Sequence, residues 1–510
     1  MNRTKYSLYN AISAVILTLI NGLFGIIVTR LIISHYGSDF NGLNSTVNQI
    51  VNVLLIIEGG FTLASNVALF GPISAQDYDI SNGVLSATRL KFRRIGIVFL
   101  AVGTLVAFIY SFLARTDLPK EFVFTVTYMA VIPQTVNLFF VTTYRVLLQT
   151  QQKEYIINCF TASTIGLGHI TNIILIICNG PMWMIRFITM CFALVNCVLI
   201  SQYTKRHNSF LDFSVKPRPE LIEGTKDVMA QKITAVIYSS WPIVFLSVTP
   251  SGGTLLASVY AVYNNVFVMM KALLHGVIDA PRLGFGQMLT EKKREEVWPA
   301  FKEYEFISVF LTFIAMTTTC GLILPFIKIY TSNVTDINYY DKKIAILLVL
   351  IGTFEMIHIP SGHLINMSGN FRVSKIFQII ACIMLIVSMS VLGSFWGIYG
   401  MLLAILIVAI LLAIMEIGFI HMCFFDKKIL FFFRIMIPYL LLGNIVSYFE
   451  MFFTQNSEGI LSLIAFAGLF LVINSIIASL LGFIICNNEM KKLIVRGTTI
   501  MKKIVVARKN

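Results

Sequence analysis

The residues of this chain that could do chemistry are ionisable side chains set inside long apolar runs. Glu58 lies in Ile57-Glu58-Gly59-Gly60, where two glycines allow a helix to bend or another backbone to approach. It could hold a proton or a cation, or answer a cation across a cavity; the plainer alternative is an internal structural pair. Lys271 sits one helical turn before His275 and could grip an anionic head group, or snorkel to the inner interface. Arg30 and Arg186 fall near the outer ends of their apolar runs, where arginine snorkels easily, and Arg145 closes another run at the inner side. Glu355 and His358 are three residues apart, with His363 beyond Pro360, a pattern that suggests a protonatable relay or a polar pair. Its i, i+3, i+8 spacing does not converge on a straight helix, so no metal site is expected. His169 and Glu450 are weaker candidates, and Glu416 and His421 are expected at the inner interface.

Other chemistries lack their parts. No G-x-x-x-x-G-K-[ST] loop is present to cradle nucleotide phosphates, and no H-E-x-x-H zinc motif. Gly284-Phe285-Gly286 has no strand before it. The eight cysteines form no C-x-x-C pair and read as small core hydrophobes. Glu291-Lys292-Lys293-Arg294-Glu295-Glu296 reads as a solvated helix face. Asp336 and Asp341 are the only acids in the largest outer loop, too few for an enzyme acting on outer-face sugars. Catalysis and a cofactor are therefore not expected, and transport is.

The elements that would position these groups are membrane spans. Of 510 residues, 57% are apolar and 13% charged, against about 45–50% and 25% in soluble domains, and the mean hydropathy is +0.81. That excludes a soluble enzyme or a disordered scaffold. Fourteen apolar stretches reach the roughly 20 residues that a helix needs to cross a bilayer. They lie near 9–33, 42–69, 95–114, 121–146, 157–178, 183–203, 233–250, 254–279, 305–330, 343–366, 375–393, 398–421, 434–453 and 460–485. The net charge of +14 is explained by topology: with the N-terminus inside, 31 of the 39 Lys and Arg fall on inner segments and four on outer ones. Both termini are then cytoplasmic and nucleic acid is not a partner; anionic membrane lipid is.

The longest polar gap, about Thr204 to Lys232, splits the spans into six and eight. After it, Thr225-Lys226 and Ile233-Thr234-Ala235-Val236 echo Thr4-Lys5 and Ile12-Ser13-Ala14-Val15 at the same spacing. Asn264 and Gly276 likewise echo Asn48 and Gly60. The expectation is an all-α polytopic membrane protein of two parallel six-helix lobes. These are an N-terminal lobe at 1–210, a cytoplasmic linker at 211–232 and a C-terminal lobe at 233–425. Residues 426–510 would hold an appended pair, helices 13 and 14, and a basic cytoplasmic tail. Such repeats place a binding site at the lobe interface.

This organisation resembles the oligosaccharide (O-antigen and capsule repeat-unit) flippases of the multidrug/oligosaccharidyl-lipid/polysaccharide exporter superfamily. The segments that carry the resemblance are Gly42-Leu43-Asn44-Ser45, Glu58-Gly59-Gly60, Gly71-Pro72-Ile73 and Lys91-Phe92-Arg93-Arg94-Ile95-Gly96. Tyr144-Arg145-Val146-Leu147-Leu148, followed by Gln151-Gln152-Lys153-Glu154-Tyr155, completes the set. The resemblance implies a MATE-like exporter fold in the plasma membrane. It also implies alternating access, often driven by an ion gradient, and a cationic cavity for a polyprenyl-diphosphate-linked oligosaccharide. Substrate would meet Arg30, Lys271, Arg145 and Arg186, ion coupling would fall to Glu58, Glu355 and His358, and a polysaccharide polymerase and other glycan assembly proteins would be partners. The rival readings are a multidrug/cation antiporter of the same superfamily, whose cavity would be acidic or aromatic, and a non-transporting membrane scaffold of a glycan synthase.

Overall fold

A backbone amide in hydrocarbon has no water to bond, so an apolar chain of this kind satisfies its N–H and C=O groups within helices. The computed structural model describes residues 3–222, 225–455, 457 and 459–495, and among these the regular structure is helical throughout. The basic tail from Arg496 lies outside the described residues, as do the side chains of Thr4, Lys5, Thr225 and Lys226 in the sequence echo.

The helices in order are α1 (Arg3–Leu54), α2 (Phe61–Ala75), α3 (Tyr78–Leu113), α4 (Lys120–Val136), α5 (Thr142–Thr150), α6 (Glu154–Ile177), α7 (Trp183–His207) and α8 (Thr225–Val248). Then follow α9 (Thr254–Ile278), α10 (Arg282–Glu291), α11 (Arg294–Tyr330), α12 (Lys342–Ile357), α13 (Ile359–Met367), α14 (Phe371–Gly418), α15 (Leu430–Thr454) and α16 (Ile460–Ile485). Eleven stretches of the described residues are long and apolar enough to cross a membrane. Two of them bend sharply. Gly37 (φ 86°) and Gly397 (φ 56°) sit in conformations that only glycine adopts without strain, so α1 and α14 each hold two of the expected spans. With the shorter apolar helix Ile233–Val248, the helices follow the spans expected from the sequence. The chain is a multi-pass membrane protein.

Polar residues set the helix ends. Asp77 caps α3 by accepting from Ile80 N at 3.0 Å, and Asp341 caps α12 by accepting from Lys343 N and Ile344 N at 2.8 and 3.1 Å. Asp336 accepts from Ser38 N at 2.6 Å and from Ser38 Oγ at 2.7 Å, which caps the helix restarting after Gly37. Both acids of the loop between α11 and α12 are thus helix caps. The charged run Glu291–Glu296 is exposed, but it is the junction between α10 and α11 and not one helix face.

The chain forms two compact units. The first runs to Ala261 and includes Asn333–Ile337; the second comprises Val262–Ser332 and continues from Asn338, so the division falls within α9. In the first, α1 packs along α6 and α8, and α3 along α4, around Phe40, Leu43, Leu85, Phe92 and Phe99. The polar segment after α7 is docked on this unit: Asn82 Nδ2 donates to Phe210 O at 2.8 Å, and Arg218 pairs with Asp79 at 2.5 Å. In the second unit α11 is the central helix, 72% of its apolar window being buried against α12, α15 and α16.

In lipid, helix association gains little from the hydrophobic effect and relies on close packing over small residues. Gly42 shows this in the first unit. A Cβ there would run into the backbone carbonyl of Thr254, while Asn41 Nδ2 donates to Ser258 Oγ at 2.7 Å and Thr254 donates to Asp39. Gly42→Ala should therefore force α1 and α9 apart and lower stability by about 1–3 kcal/mol, read as a lower midpoint of thermal unfolding in detergent.

Candidate functional site

Two irregular stretches of the first unit face one cavity. The second span does not run straight: α1 gives way to a 3-10 turn, Leu55–Glu58, then Gly59 and Gly60 take left-handed φ of 60° and 72° before α2 begins. Opposite, a π-helical turn at Asn137–Val141 separates α4 from α5. Irregular backbone at membrane depth is stable only where protein encloses it or it lines a wet cavity, and π turns frequently mark functional sites. The cavity between these breaks has a volume of about 470 Å³ and is lined by Glu58, Thr62, Asn66, Asn137, Arg145 and Gln149 among others.

Glu58 accepts from Thr62 Oγ1, and Asn66 Nδ2 donates to Gln149 Oε1 at 3.0 Å. Arg145 is half-buried and forms no ion pair among the described residues; its Nε and the Asn137 side-chain oxygen are buried without hydrogen-bond partners. The cavity thus offers one carboxylate, one guanidinium and several amides and hydroxyls. That set can meet an anion together with hydroxyl groups, since guanidinium forks onto phosphate and amides donate and accept.

The second unit holds acid–base pairs. Lys271 Nζ on α9 lies 2.7 Å from Glu355 on α12. His358, at the break between α12 and α13, has its Nδ1 2.7 Å from Glu416 on α14. His421 Nε2 lies 2.9 and 3.0 Å from the two oxygens of Glu305 on α11, both side chains fully enclosed. In the same unit, Tyr304 OH donates to Ile278 O at 2.6 Å and meets His363 Nδ1 at 2.9 Å, while His275 and His363 flank Asp279 at 3.3 and 3.5 Å.

Among the expected site residues, Glu58 and Arg145 share the cavity, and Lys271 and Glu355 form an ion pair. Glu355, His358 and His363 take separate partners, because the chain breaks at His358 and Pro360 begins a new helix. Glu416 and His421 are not interfacial. They are 4% and 0% exposed: Glu416 lies against His358 and Gly362, and Glu305 of α11 meets His421. Arg186 does not snorkel: it is buried and donates to Asn44 O at 2.7 Å and Asn48 Oδ1 at 3.0 Å, tying α7 to α1. Arg30 is half-buried on α1 and forms no ion pair among the described residues.

Solved structures share this architecture. A multidrug resistance MATE family transporter of the MOP superfamily, in an inward-facing conformation, aligns at TM-score 0.64 and 14% identity, covering 86% of this chain and 99% of that one. The lipid II flippase MurJ in an inward closed conformation aligns at 0.63 and 12%, covering 93% and 98%. A MOP superfamily transporter from Pyrococcus furiosus, described as having a binding pocket of reverse polarity, aligns at 0.57 and 14%, covering 82% and 94%. The fold is MATE-like. No family model and no curated protein matches the sequence.

Within this MATE-like fold, Thr62, Asn66, Gln134, Asn137 and Gln149 around the cavity escape a search for ionisable groups. Their signal is uncharged polarity inside an apolar run, together with Pro133 beside Asn137. Glu305 escapes because it stands at the head of its span. Breaking a buried pair from one side strands a charge in a medium that cannot solvate it, a loss of about 3–5 kcal/mol. His421→Ala should show that loss in detergent denaturation, and Glu305→Leu added to His421→Leu should recover most of it.

Proposed function

We propose that this protein is a flippase of the plasma membrane that moves a polyprenyl-diphosphate-linked oligosaccharide from the inner to the outer leaflet by alternating access. The observation that carries the reading is the cavity of the first unit, where Arg145, which forms no ion pair among the described residues, shares the lining with the amides and hydroxyls of Asn66, Asn137, Gln149 and Thr62. A diphosphate needs a cation, a sugar needs hydrogen-bonding partners on both sides of its hydroxyls, and about 30 Å of hydrocarbon bars both without a polar path. The likeness of the fold to that of the lipid II flippase supports this choice of substrate class. Transport, and not catalysis, is the activity assigned.

Lys271 enters the scheme through its partner. Paired to Glu355 it is neutralised; when Glu355 is protonated or takes up a cation, the ammonium group becomes available to an anionic head group. A ligand shifts a conformational equilibrium only by binding its states differently, and this exchange of partners would supply that difference. Arg30 on α1, which forms no ion pair among the described residues, is a further cation for the diphosphate. Arg186, already engaged by Asn44 and Asn48, is assigned to positioning.

The purified full chain in liposomes should flip a fluorescent polyprenyl-diphosphate oligosaccharide unaided, and Arg145→Ala should reduce the rate at least about tenfold, as expected for the loss of a charge-assisted phosphate contact. Glu355→Gln should retain binding but lose dependence on an imposed ion gradient. Unimpaired flipping by Arg145→Ala would remove the cavity from the substrate path. Export of lipophilic cations with no movement of the lipid-linked sugar would favour a multidrug antiporter.

A further inference from the structure

Where α16 ends, at Ile485, the chain turns basic, and the fold brings a lysine of another helix to the same place. A further helical stretch covers 487–495. It is amphipathic. Met490 is buried and Leu493 packs on the core of the second unit, while Asn488, Lys491 and Lys492, at i, i+3 and i+4, share the exposed face.

Asn488, Glu489, Lys491 and Lys492 line a cavity of about 350 Å³ whose other wall is Pro299 and Lys302 of α11. Two of the lysines are held by acids of the opposite element. Lys492 Nζ lies 2.5 Å from Glu303, and Lys302 Nζ lies 3.7 Å from Glu489, too far for a hydrogen bond. The rings of Phe431 and Trp298, 5.1 and 6.0 Å from the same ammonium group, steady Lys302 further. Each ammonium group carries three N–H donors, more than these partners use. Lys491 is exposed and forms no ion pair among the described residues. Burial pushes the Cys486 thiol up to about 11, Glu489 adding to the rise while Arg434 on α15 and Lys302 oppose it, which puts a fourth cation near the cavity.

Three lysines against two glutamates leave the cavity positive, with donors to spare for a phosphate. Its surroundings are apolar. Phe483 and Ile484 at the end of α16, and Ile494 and Val495 on the helical stretch, are exposed. An amphipathic helix directly beyond a membrane-length helix belongs at the level of the lipid head groups. A ligand seated there meets ammonium groups at one end and exposed hydrocarbon side chains at the other. We propose that Lys302, Lys491, Lys492 and Asn488 bind the head group of an anionic glycerophospholipid. None of these residues belongs to the cavity assigned to substrate, so the site stands or falls without it.

The test uses the full chain purified in detergent and titrated with phosphatidylglycerol or phosphatidylcholine of the same acyl chains, with bound lipid counted on the intact protein by native mass spectrometry. One phosphatidylglycerol should be retained per chain, with a dissociation constant at least about tenfold below that of phosphatidylcholine, as several lysines around one phosphate imply. Lys302→Gln, Lys491→Gln and Lys492→Gln together should remove the preference. Lys216→Gln, Lys292→Gln and Lys293→Gln, which remove the same charge at exposed positions elsewhere, should leave it. Phosphatidylglycerol with a photoreactive head group should label 487–495 and the first turns of α11 in the unaltered protein, a readout that does not depend on any variant folding. Soluble glycerol phosphate at matched concentration should not displace the lipid; displacement would overturn the assignment to a phospholipid. Equal retention of the two lipids, a preference lost equally in the control substitutions, or label confined to other helices would each overturn the site.

Discussion

Inside a bilayer a backbone N–H or C=O can be satisfied only by the protein itself or by water the protein admits. Every departure from α-helix in this chain has to answer to that constraint. The bend at Gly37 is capped by Asp336, and the break at Leu55–Gly60 and the π turn at Asn137–Val141 open onto a polar cavity. The break at His358 lies beside a Glu416 carboxylate. Regular helix is the background and the irregular stretches gather the polar groups, because only there do polar side chains have both room and something to bond.

The same constraint governs charge. A lone ion at membrane depth costs more than a surface salt bridge returns, and three acids of the second unit each meet a base: Glu355 with Lys271, Glu416 with His358, Glu305 with His421. These pairs join helices far apart in sequence, and pairing lets each acid and base be buried together. Arg145 differs. It is a half-buried cation that forms no ion pair among the described residues and shares its cavity with Glu58 and several amides.

A MATE-like arrangement at low sequence identity to the solved structures is intelligible on these terms. Lipid-facing positions accept almost any apolar side chain, so the pattern of spans, bends and small-residue contacts can persist while identities drift to 12–14%. In this chain the geometry rests on a few positions: room for Thr254 against Gly42, a reversal at Gly397, a capping acid at Asp341.

By itself the sequence determined that the chain is helical and spans the membrane many times, since hydrophobic length and the cost of bare amides leave no other structure. It also marked Glu58, Arg145, Lys271 and Glu355, because an ionisable group in an apolar run is conspicuous in one dimension. Tertiary structure alone decided who meets whom. Lys271 and Glu355 are 84 residues apart and Glu305 and His421 are 116 apart, and no local periodicity brings such residues into contact. Only packing turned Arg186 from an interfacial side chain into a buried tie and gathered Asn66, Asn137 and Gln149 around one cavity. Helix–helix contacts set those partnerships, and the spacing along a single span carries no record of them.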